Sequence, residues 1–272
     1  MPVADGRMRR AQEAAFAEES DYDVGSPHLA HPRLRRWIIH RILAAATDAT
    51  GRGLPQTSLD IGAGHGSFVA PMLAAGFAVT ATEMSRPSIA TLEQRFSQDS
   101  QFEAVFEQDG SFDALGDRRY SMIACISVLH HIPDYVGAID TLLDRHLDPG
   151  GAFVCFQDPL WYPGLDRMTY VAAKGAYFAW RLTQGNYVRG VRTRIRRLRG
   201  RYDETETADL AEYHVVRQGV DQDRLLETLS PRFESVELLP YWSTQGRLWQ
   251  RLGEWFGRPN TFGIVARDHR GI

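Results

Sequence analysis

Three glycines and one acidic residue form the most informative cluster of the sequence. Gly62, Gly64 and Gly66 alternate directly after an apolar segment that contains Asp60. Because glycine has no Cβ, the backbone can turn sharply here and a ligand can approach it closely. The apolar segment predicts a strand, and residues 67–75 predict a helix. A strand, a glycine loop and a helix in this order are typical of a site for a nucleotide-like ligand.

The spacing of these residues favours a cationic ligand without phosphate over a dinucleotide. The dinucleotide fingerprint G-x-G-x-x-G would require a glycine at the position of Ser67. Asp60 lies two residues before the first glycine, where a carboxylate would repel a pyrophosphate. S-adenosylmethionine carries a sulfonium, an ammonium and a ribose diol, and its carboxylate can accept hydrogen bonds from loop N–H groups. The alternative is a tight strand-to-helix turn without a ligand.

Polar residues follow further predicted strands in an alternating pattern of strands and helices. Glu83, Asp109, His130, His131 and Asp158 lie where successive strands end. Such alternation predicts a parallel sheet that binds ligands at the carboxyl ends of its strands. The predicted strands cover residues 78–82, 102–106, 120–126, 152–156, 233–240 and 261–266. Helices are predicted over residues 11–19, 33–50, 133–146 and 221–229 and after a capping serine at 85, with a loop over 21–32.

Residues 57–157 resemble the class I S-adenosylmethionine-dependent methyltransferases, in particular the type 11 branch that acts on small molecules. The phrases Leu-Asp-Ile-Gly-Ala-Gly-His-Gly, Val-Leu-His-His-Ile and Leu-Asp-Pro-Gly-Gly carry the resemblance. It implies an α/β fold: a Rossmann-like, doubly wound sheet of seven mostly parallel strands with helices on both faces. N-terminal helices and an inserted helical cap are the expected additions to this fold.

The resemblance also implies a binding site for S-adenosylmethionine, with S-adenosylhomocysteine as the product. Glu83 would accept both ribose hydroxyls, because the paired oxygens of a carboxylate suit a vicinal diol. Asp109 would accept a hydrogen bond from the adenine amino group, and Ser127 would lie near the methionyl part of the cofactor. The alternatives are an exposed acid at a strand end for Glu83 and a turn residue for Asp109. The complete predicted set is Asp60, Gly62, Gly64, Gly66, Glu83, Met84, Asp109, Gly110 and Ser127.

Histidines near the predicted site are candidates for a general base. A sulfonium is already activated, so the protein must mainly align the acceptor and exclude water. A hydroxyl acceptor also benefits from a base, and histidine titrates near neutral pH. We expect one of His130 and His131 to be structural and assign the acceptor side to His131. His214 and Asp158 are competing candidates, with a surface histidine and a turn before Pro159 as their alternatives.

Residues 160–202 predict an insertion whose first half is aromatic and whose second half is basic, with seven arginines from Arg189 to Arg201. One interpretation is a helix pair that packs its aromatic side on the sheet and exposes its arginines. The other is a cap over the acceptor, with arginines for an anionic group of the acceptor, a membrane surface or nucleic acid. We predict that the acceptor is bound by Asp158, Trp161, Tyr162 and Tyr213.

Composition bounds the organisation of the chain and its partners. The 272 residues are 43% hydrophobic, and their net charge of −3 argues against a stable nucleic-acid partner. The absence of an apolar run of ~18–20 residues and of a signal sequence predicts a cytoplasmic protein, with a peripheral membrane contact through Arg189 to Arg201 as an addition. Cys125 and Cys155 lie in apolar runs, which predicts buried free thiols. No metal site is predicted, because paired acids at a fixed spacing are missing.

The sequence predicts one methyltransferase domain spanning residues 1–272. Its parts are a helical extension (1–50), a cofactor-binding core (51–159), the insertion (160–202) and a C-terminal part of the sheet (203–272). The predicted reaction is in-line O-methylation of a hydroxyl group on a sugar, a glycolipid or a secondary metabolite. N-methylation of an amine or amino sugar is the alternative, since a neutral amine needs less from a base. A catalytically silent cofactor-binding protein that acts at a membrane or on RNA is an alternative from another class.

Overall fold

The computed structural model describes residues 26–107, 110–183 and 219–271. These residues form a seven-stranded sheet in the order β3-β2-β1-β4-β5-β7-β6. Neighbouring strands are parallel, except that β7 is antiparallel to both β5 and β6. The strands are β1 (Thr57–Ile61), β2 (Ala78–Glu83), β3 (Phe102–Phe106), β4 (Tyr120–Ile126), β5 (Leu147–Pro159), β6 (Phe233–Tyr241) and β7 (Thr261–His269). The predicted mostly parallel, Rossmann-like sheet is confirmed.

Helices cover both faces of this sheet. Those of the described residues are α1 (Pro27–Ala30), α2 (Pro32–Gly51), α3 (Val69–Ala74), α4 (Arg86–Arg95), α5 (Tyr135–His146), α6 (Arg167–Thr183), α7 (Gln222–Leu229) and α8 (Arg247–Phe256). Helices α2, α3 and α4 pack on one face, and α5 and α7 pack on the other. Ser85 caps α4 by accepting from the backbone N–H of Ser88, as the sequence predicts.

Two hydrophobic cores lie on opposite faces of the sheet because successive side chains of a strand point to opposite sides. In β4, Ile123 and Cys125 belong to one core, whereas Met122 and Ala124 belong to the other. Cys125 lies beside Cys155 of β5 in the strand register, and both thiols are free and fully buried. The prediction of two buried free thiols is therefore confirmed.

Three elements differ from the sequence-based expectation. The predicted loop over 21–32 is wrong for its last part, because Ser26 and Pro27 begin the short helix α1. Strand β5 is longer than the predicted 152–156, since it continues across the Pro-Gly-Gly segment with a shift in its pairing to β4. The connection between β6 and β7 contains helix α8. The helix predicted over 11–19 lies outside the described residues.

Replacing Gly263 by alanine is expected to destabilise the sheet. Gly263 lies in β7 opposite Phe156 of β5, and a Cβ at this position would lie 2.2 Å from the Phe156 ring. Overpacking of this kind costs about 1–3 kcal/mol of unfolding free energy. Gly175→Ala in α6 is the matched control: its Cβ would have no neighbour within 4 Å, and alanine favours a helix. Denaturant titration checks both variants, and equal stability of G263A and the wild type would contradict this packing.

Candidate functional site

The glycine loop joins β1 to α3 at the carboxyl end of β1. Gly62, Gly64 and Gly66 have φ angles of 64°, 56° and 76°, a region that residues with a Cβ rarely adopt. A Cβ on Gly62 would lie 2.5 Å from a methyl carbon of Val128, in the loop after β4. The loop therefore needs glycine for its backbone conformation and for its contact with the neighbouring strand end.

Glu83 is the last residue of β2 and is fixed by three backbone N–H groups. Gly64 donates to one carboxylate oxygen at 2.9 Å, and Met84 and Ser85 donate to the other at 2.8 and 3.2 Å. Burial raises the pKa of Glu83, and these hydrogen bonds oppose the shift. The structure thus places Glu83, which was predicted to bind the ribose hydroxyls, directly against the glycine loop.

Asp60 lies beside Glu83 and is almost completely buried, with 6% of its surface exposed. Burial, and then the negative charge of Glu83, raise the pKa of Asp60 to about 7. Near neutral pH the carboxyl group of Asp60 is therefore shared between its protonated and ionised forms. A cationic group bound beside Asp60 would offset both causes and favour the ionised form.

His130 and Asp158 form a buried pair between the ends of β4 and β5. Nδ1 of His130 lies 2.7 Å from one carboxylate oxygen of Asp158, and the backbone N–H of His130 donates to the same oxygen at 3.1 Å. Asp158 is fully buried and pairs with Phe262 of β7 in the strand register. Asp158 is therefore a strand residue, and the alternative of a turn before Pro159 is wrong. A carboxylate partner at Nδ1 fixes the orientation of the His130 ring.

His131 lies directly beside this pair. The ring centroids of His130 and His131 are 4.0 Å apart, at an interplanar angle of 46°, and both histidines belong to a 3₁₀ turn, Leu129–His131. The structure therefore brings both predicted histidines to the same strand end, next to the glycine loop that Val128 contacts.

His28 of α1 is a further residue of this site, and the sequence analysis missed it. Its ring is buried and stacks on Phe68, at the start of α3, with centroids 5.8 Å apart. Burial, and then the charges of His130 and Arg35, lower the pKa of His28 to about 3. Helix α1 therefore covers the region between the glycine loop and His130 with a neutral imidazole. Ser26-Pro27 was the available signal, because a serine followed by a proline is a common helix start.

A polar cluster around Gln157 supports the main chain next to Asp158. Gln157 has a φ of 70°, donates its backbone N–H to the Tyr241 hydroxyl at 2.8 Å, and donates its side-chain amide to Ser243 at 2.7 Å. Tyr241 donates its hydroxyl to Oε1 of Gln157 at 3.2 Å. A positive φ at a residue other than glycine has no signal in the sequence, so this cluster could not be predicted.

A family model described as a methyltransferase domain matches residues 29–190. The chain belongs to this methyltransferase family. Membership confirms the predicted resemblance to the class I S-adenosylmethionine-dependent methyltransferases. The match includes the glycine loop, Glu83 and the His130–Asp158 pair, so the site described above lies inside the family domain.

Proteins similar to this chain are named as methyltransferases of different reaction types. The ubiquinone biosynthesis O-methyltransferases of Rickettsia canadensis and Rickettsia akari are 25% and 27% identical to it, over 48% of this chain and 53% and 50% of theirs. The chain thus spans about half the length of these relatives. The structure of the N-methyltransferase NodS from Bradyrhizobium japonicum in complex with S-adenosylhomocysteine aligns with 96% of this chain and 98% of its own. Its TM-score is 0.55 at 14% identity, which supports the shared fold.

Other predicted cofactor residues of the methyltransferase lie around the same strand ends. Ser127, after β4, has a φ of 60° and donates its backbone N–H to Phe156 at 2.7 Å. Gly110, with a φ of 69°, donates its backbone N–H to Glu107 at 3.0 Å. Asp109 lies outside the described residues.

Trp161 and Tyr162, which were predicted to bind the methyl acceptor, follow β5. Trp161 donates its backbone N–H to the side chain of Gln222 at 3.1 Å. The Tyr162 ring contacts the Tyr170 ring at 5.8 Å, and the Lys174 ammonium lies 4.9 Å from the Tyr162 centroid. Both residues therefore link β5 to the helices that follow it. The remaining predictions, Tyr213, His214 and Arg189–Arg201, lie outside the described residues.

The described residues contain neither a group of metal ligands nor a membrane-spanning helix. Over residues 26–107, 110–183 and 219–271, no group of three or more His, Cys, Asp or Glu side chains is arranged to hold a metal ion. In the same part of the chain, no helix combines the length and apolar character needed to cross a bilayer.

Proposed function

We propose that this protein transfers the methyl group of S-adenosylmethionine to a hydroxyl group of a small molecule, with His130 as the general base. The observation that carries the proposal is the buried His130–Asp158 pair beside the glycine loop. The Rickettsia relatives are named O-methyltransferases, which supports the same reaction type.

The residues around the glycine loop fit this cofactor. Asp60 and Glu83 place two carboxyl groups against the loop, and they suit a cation and a vicinal diol. In the absence of a bound cation, burial and mutual repulsion raise the pKa of Asp60 to about 7, so the site gains from a positive ligand. When bound, S-adenosylmethionine would supply an activated methyl group. Asp60, Glu83 and the loop N–H groups would hold it.

The protein's own contribution to the reaction is proton removal and orientation. Asp158 accepts a hydrogen bond from Nδ1 of His130, which would hold the ring in the orientation that a general base needs. The carboxylate would stabilise the imidazolium that forms as the acceptor oxygen loses its proton. Helix α1, with His28 stacked on Phe68, would exclude water from the same region.

We assign the base to His130 rather than to His131, which the sequence analysis favoured. The fully buried carboxylate of Asp158 lies 2.7 Å from Nδ1 of His130, which is the arrangement that orients a general base. His131, whose ring lies 4.0 Å from that of His130, would form the wall of the acceptor site. His214 stays a candidate from the sequence.

The acceptor classes from the sequence analysis remain proposals. A sugar, glycolipid or secondary-metabolite hydroxyl fits the aromatic side chains after β5, because aromatic rings pack against sugar faces and apolar scaffolds. N-methylation is the second candidate, and the likeness of the fold to an N-methyltransferase favours it. A cytoplasmic location is also a proposal, supported by two free thiols, Cys125 and Cys155, in neighbouring strands.

An acceptor screen tests the proposed reaction. The protein is incubated with S-adenosylmethionine and matched pairs of acceptors that differ only by a hydroxyl or an amine, and mass spectrometry detects the gain of one methylene. Transfer to hydroxyl acceptors supports the proposal. Transfer to amines alone would show N-methylation, and cofactor binding without any transfer across the panel would favour a silent cofactor-binding protein.

Glu83→Gln is expected to weaken S-adenosylhomocysteine binding by about ten- to a hundredfold, because a charge-assisted hydrogen bond contributes about 1.5–3 kcal/mol. Isothermal titration calorimetry measures the affinity. Glu93→Gln, an exposed acid on α4, is the matched control and should leave the affinity unchanged. A thermal melt confirms that E83Q is folded, and unchanged binding to a folded E83Q would contradict the proposed cofactor position.

A further inference from the structure

Helix α8 packs on the protein through its polar side. Gln250 and Gly253 are buried: Gln250 accepts from the backbone N–H of Thr244 and donates to the carbonyl of Trp242, both at 2.9 Å. Gly253 lies against the Trp242 indole, where a Cβ would come within 2.2 Å of the ring. The helix is therefore held to the sheet by hydrogen bonds and a glycine contact rather than by apolar side chains.

The apolar side of α8 faces away from the protein. Leu248, Trp249, Trp255 and Phe256 are between 41% and 78% exposed. Leu248 and Trp255 are seven residues apart, and so are Trp249 and Phe256. The four side chains therefore share one stripe along the helix. Arg247 and Arg251 are exposed on the same helix. An apolar stripe with aromatic rings and adjacent arginines is typical of a helix that lies at a membrane interface.

Helix α6 presents a second apolar stripe to solvent. Met168, Val171 and Phe178 are between 46% and 68% exposed, at spacings of three and seven residues. Arg258, two residues after α8, forms an ion pair of 2.8 Å with Asp166, one residue before α6. The end of α8 and the beginning of α6 therefore lie next to each other.

The positive charge of α6 and α8 favours an anionic partner. The described side chains of α6 and α8 include four basic residues and one acidic residue, although the whole chain has a net charge of −3. Large exposed apolar side chains that share one surface mark an interaction site. A basic surface with tryptophan and phenylalanine complements anionic lipid headgroups above an apolar layer, because indole and phenyl rings enter the interface while arginines contact phosphates.

We propose that α6 and α8 form a docking surface for anionic lipid bilayers. The surface consists of described residues and does not include Arg189–Arg201. Neither Asp60, Glu83 nor His130 belongs to it, so membrane binding would persist if the proposed methyl transfer were disproved. Docking would present the protein to an acceptor that is itself dissolved in or anchored to the bilayer.

Vesicle co-sedimentation of the full chain tests this surface. We expect binding to vesicles with equal parts of phosphatidylcholine and phosphatidylglycerol, and weak binding to phosphatidylcholine alone. Trp255→Ser with Phe256→Ser should lower the partition coefficient about tenfold or more, since two exposed rings no longer enter the interface. Arg247→Gln with Arg251→Gln should lower it about fivefold per charge, and only with anionic vesicles.

A matched control variant and a measurement of the oligomeric state distinguish lipid docking from the alternatives. Arg145→Gln with Arg270→Gln removes two exposed arginines from other surfaces and should bind vesicles like the wild type. All substituted side chains are exposed, and circular dichroism with S-adenosylhomocysteine binding verifies each fold. Wild-type vesicle binding by a folded Trp255→Ser, Phe256→Ser variant would overturn the proposal. A dimer in solution that this variant dissociates, without vesicle binding by the wild type, would assign the surface to a second copy instead.

Discussion

His130→Ala is expected to lower kcat for methyl transfer to a hydroxyl acceptor by about 10²–10⁴-fold, the usual contribution of a positioned general base. The affinity for S-adenosylhomocysteine should change little, because His130 lies in the turn after β4, whereas we propose that Glu83 and Asp60 hold the cofactor. Steady-state kinetics together with calorimetry separate the two quantities.

Two further variants test whether His130 or His131 is the general base. Asp158→Asn keeps the size of the side chain and removes the carboxylate 2.7 Å from Nδ1, so we expect a loss of kcat and a shifted pH–rate profile. His131→Ala serves as the control on the adjacent ring and should have a much smaller effect on kcat. A large loss in H131A with little loss in H130A would return the base to His131. An amine acceptor should tolerate H130A, since a neutral amine needs no base.

The affinity for S-adenosylmethionine is expected to fall about tenfold for each pH unit below about 7. Asp60 has a pKa of about 7 without ligand, because it is buried next to Glu83. A cationic ligand binds the ionised carboxylate, so below this pKa each binding event must first release a proton. Calorimetry between about pH 5.5 and about pH 8, in buffers of different ionisation enthalpy, measures the affinity and the released proton.

The carboxyl group of Asp60 also makes the stability of the ligand-free protein depend on pH. The folded-state pKa of about 7 lies above the ordinary value of 3.8, so the folded state binds more protons between these two values. The free energy of unfolding should therefore decrease as the pH rises through this range. Asp60→Asn is the control for both experiments, because it has no proton to lose. Affinity that is independent of pH in the wild type would exclude Asp60 from the ligand contact.

The strands and the glycine loop could be predicted because their signals are local. A strand that is buried on both faces is rich in apolar residues, and the positions of β2 and β4 follow from such runs. The glycines after β1 must adopt positive φ angles, so their residue type alone reports the turn. Glu83 was found because it ends one of these strands.

The missed features depend on tertiary contacts. Asp158 was predicted as a site residue, but its pairing with His130 was not, because an acid before a proline looks like a turn residue whereas β5 continues past it and pairs with β7. Only this extension places its carboxylate on His130. Helix α8 packs through Gln250 and Gly253 and exposes its apolar residues, the reverse of the usual amphipathic pattern. His28 reaches the site through a four-residue helix, which is too short to produce a periodic signal.

The position of β7 in the sheet has a consequence for the order in which the protein is made and folded. β7 follows β6 in the sequence, yet it lies between β5 and β6 and pairs with both. While the ribosome synthesises the chain, the edge of β5 next to Asp158 has unpaired backbone groups until residues 261–269 emerge. Such an edge is open to pairing with other chains. The nine residues of β7 therefore determine when the end of β5 that carries Asp158 becomes fixed and when this edge is protected from aggregation.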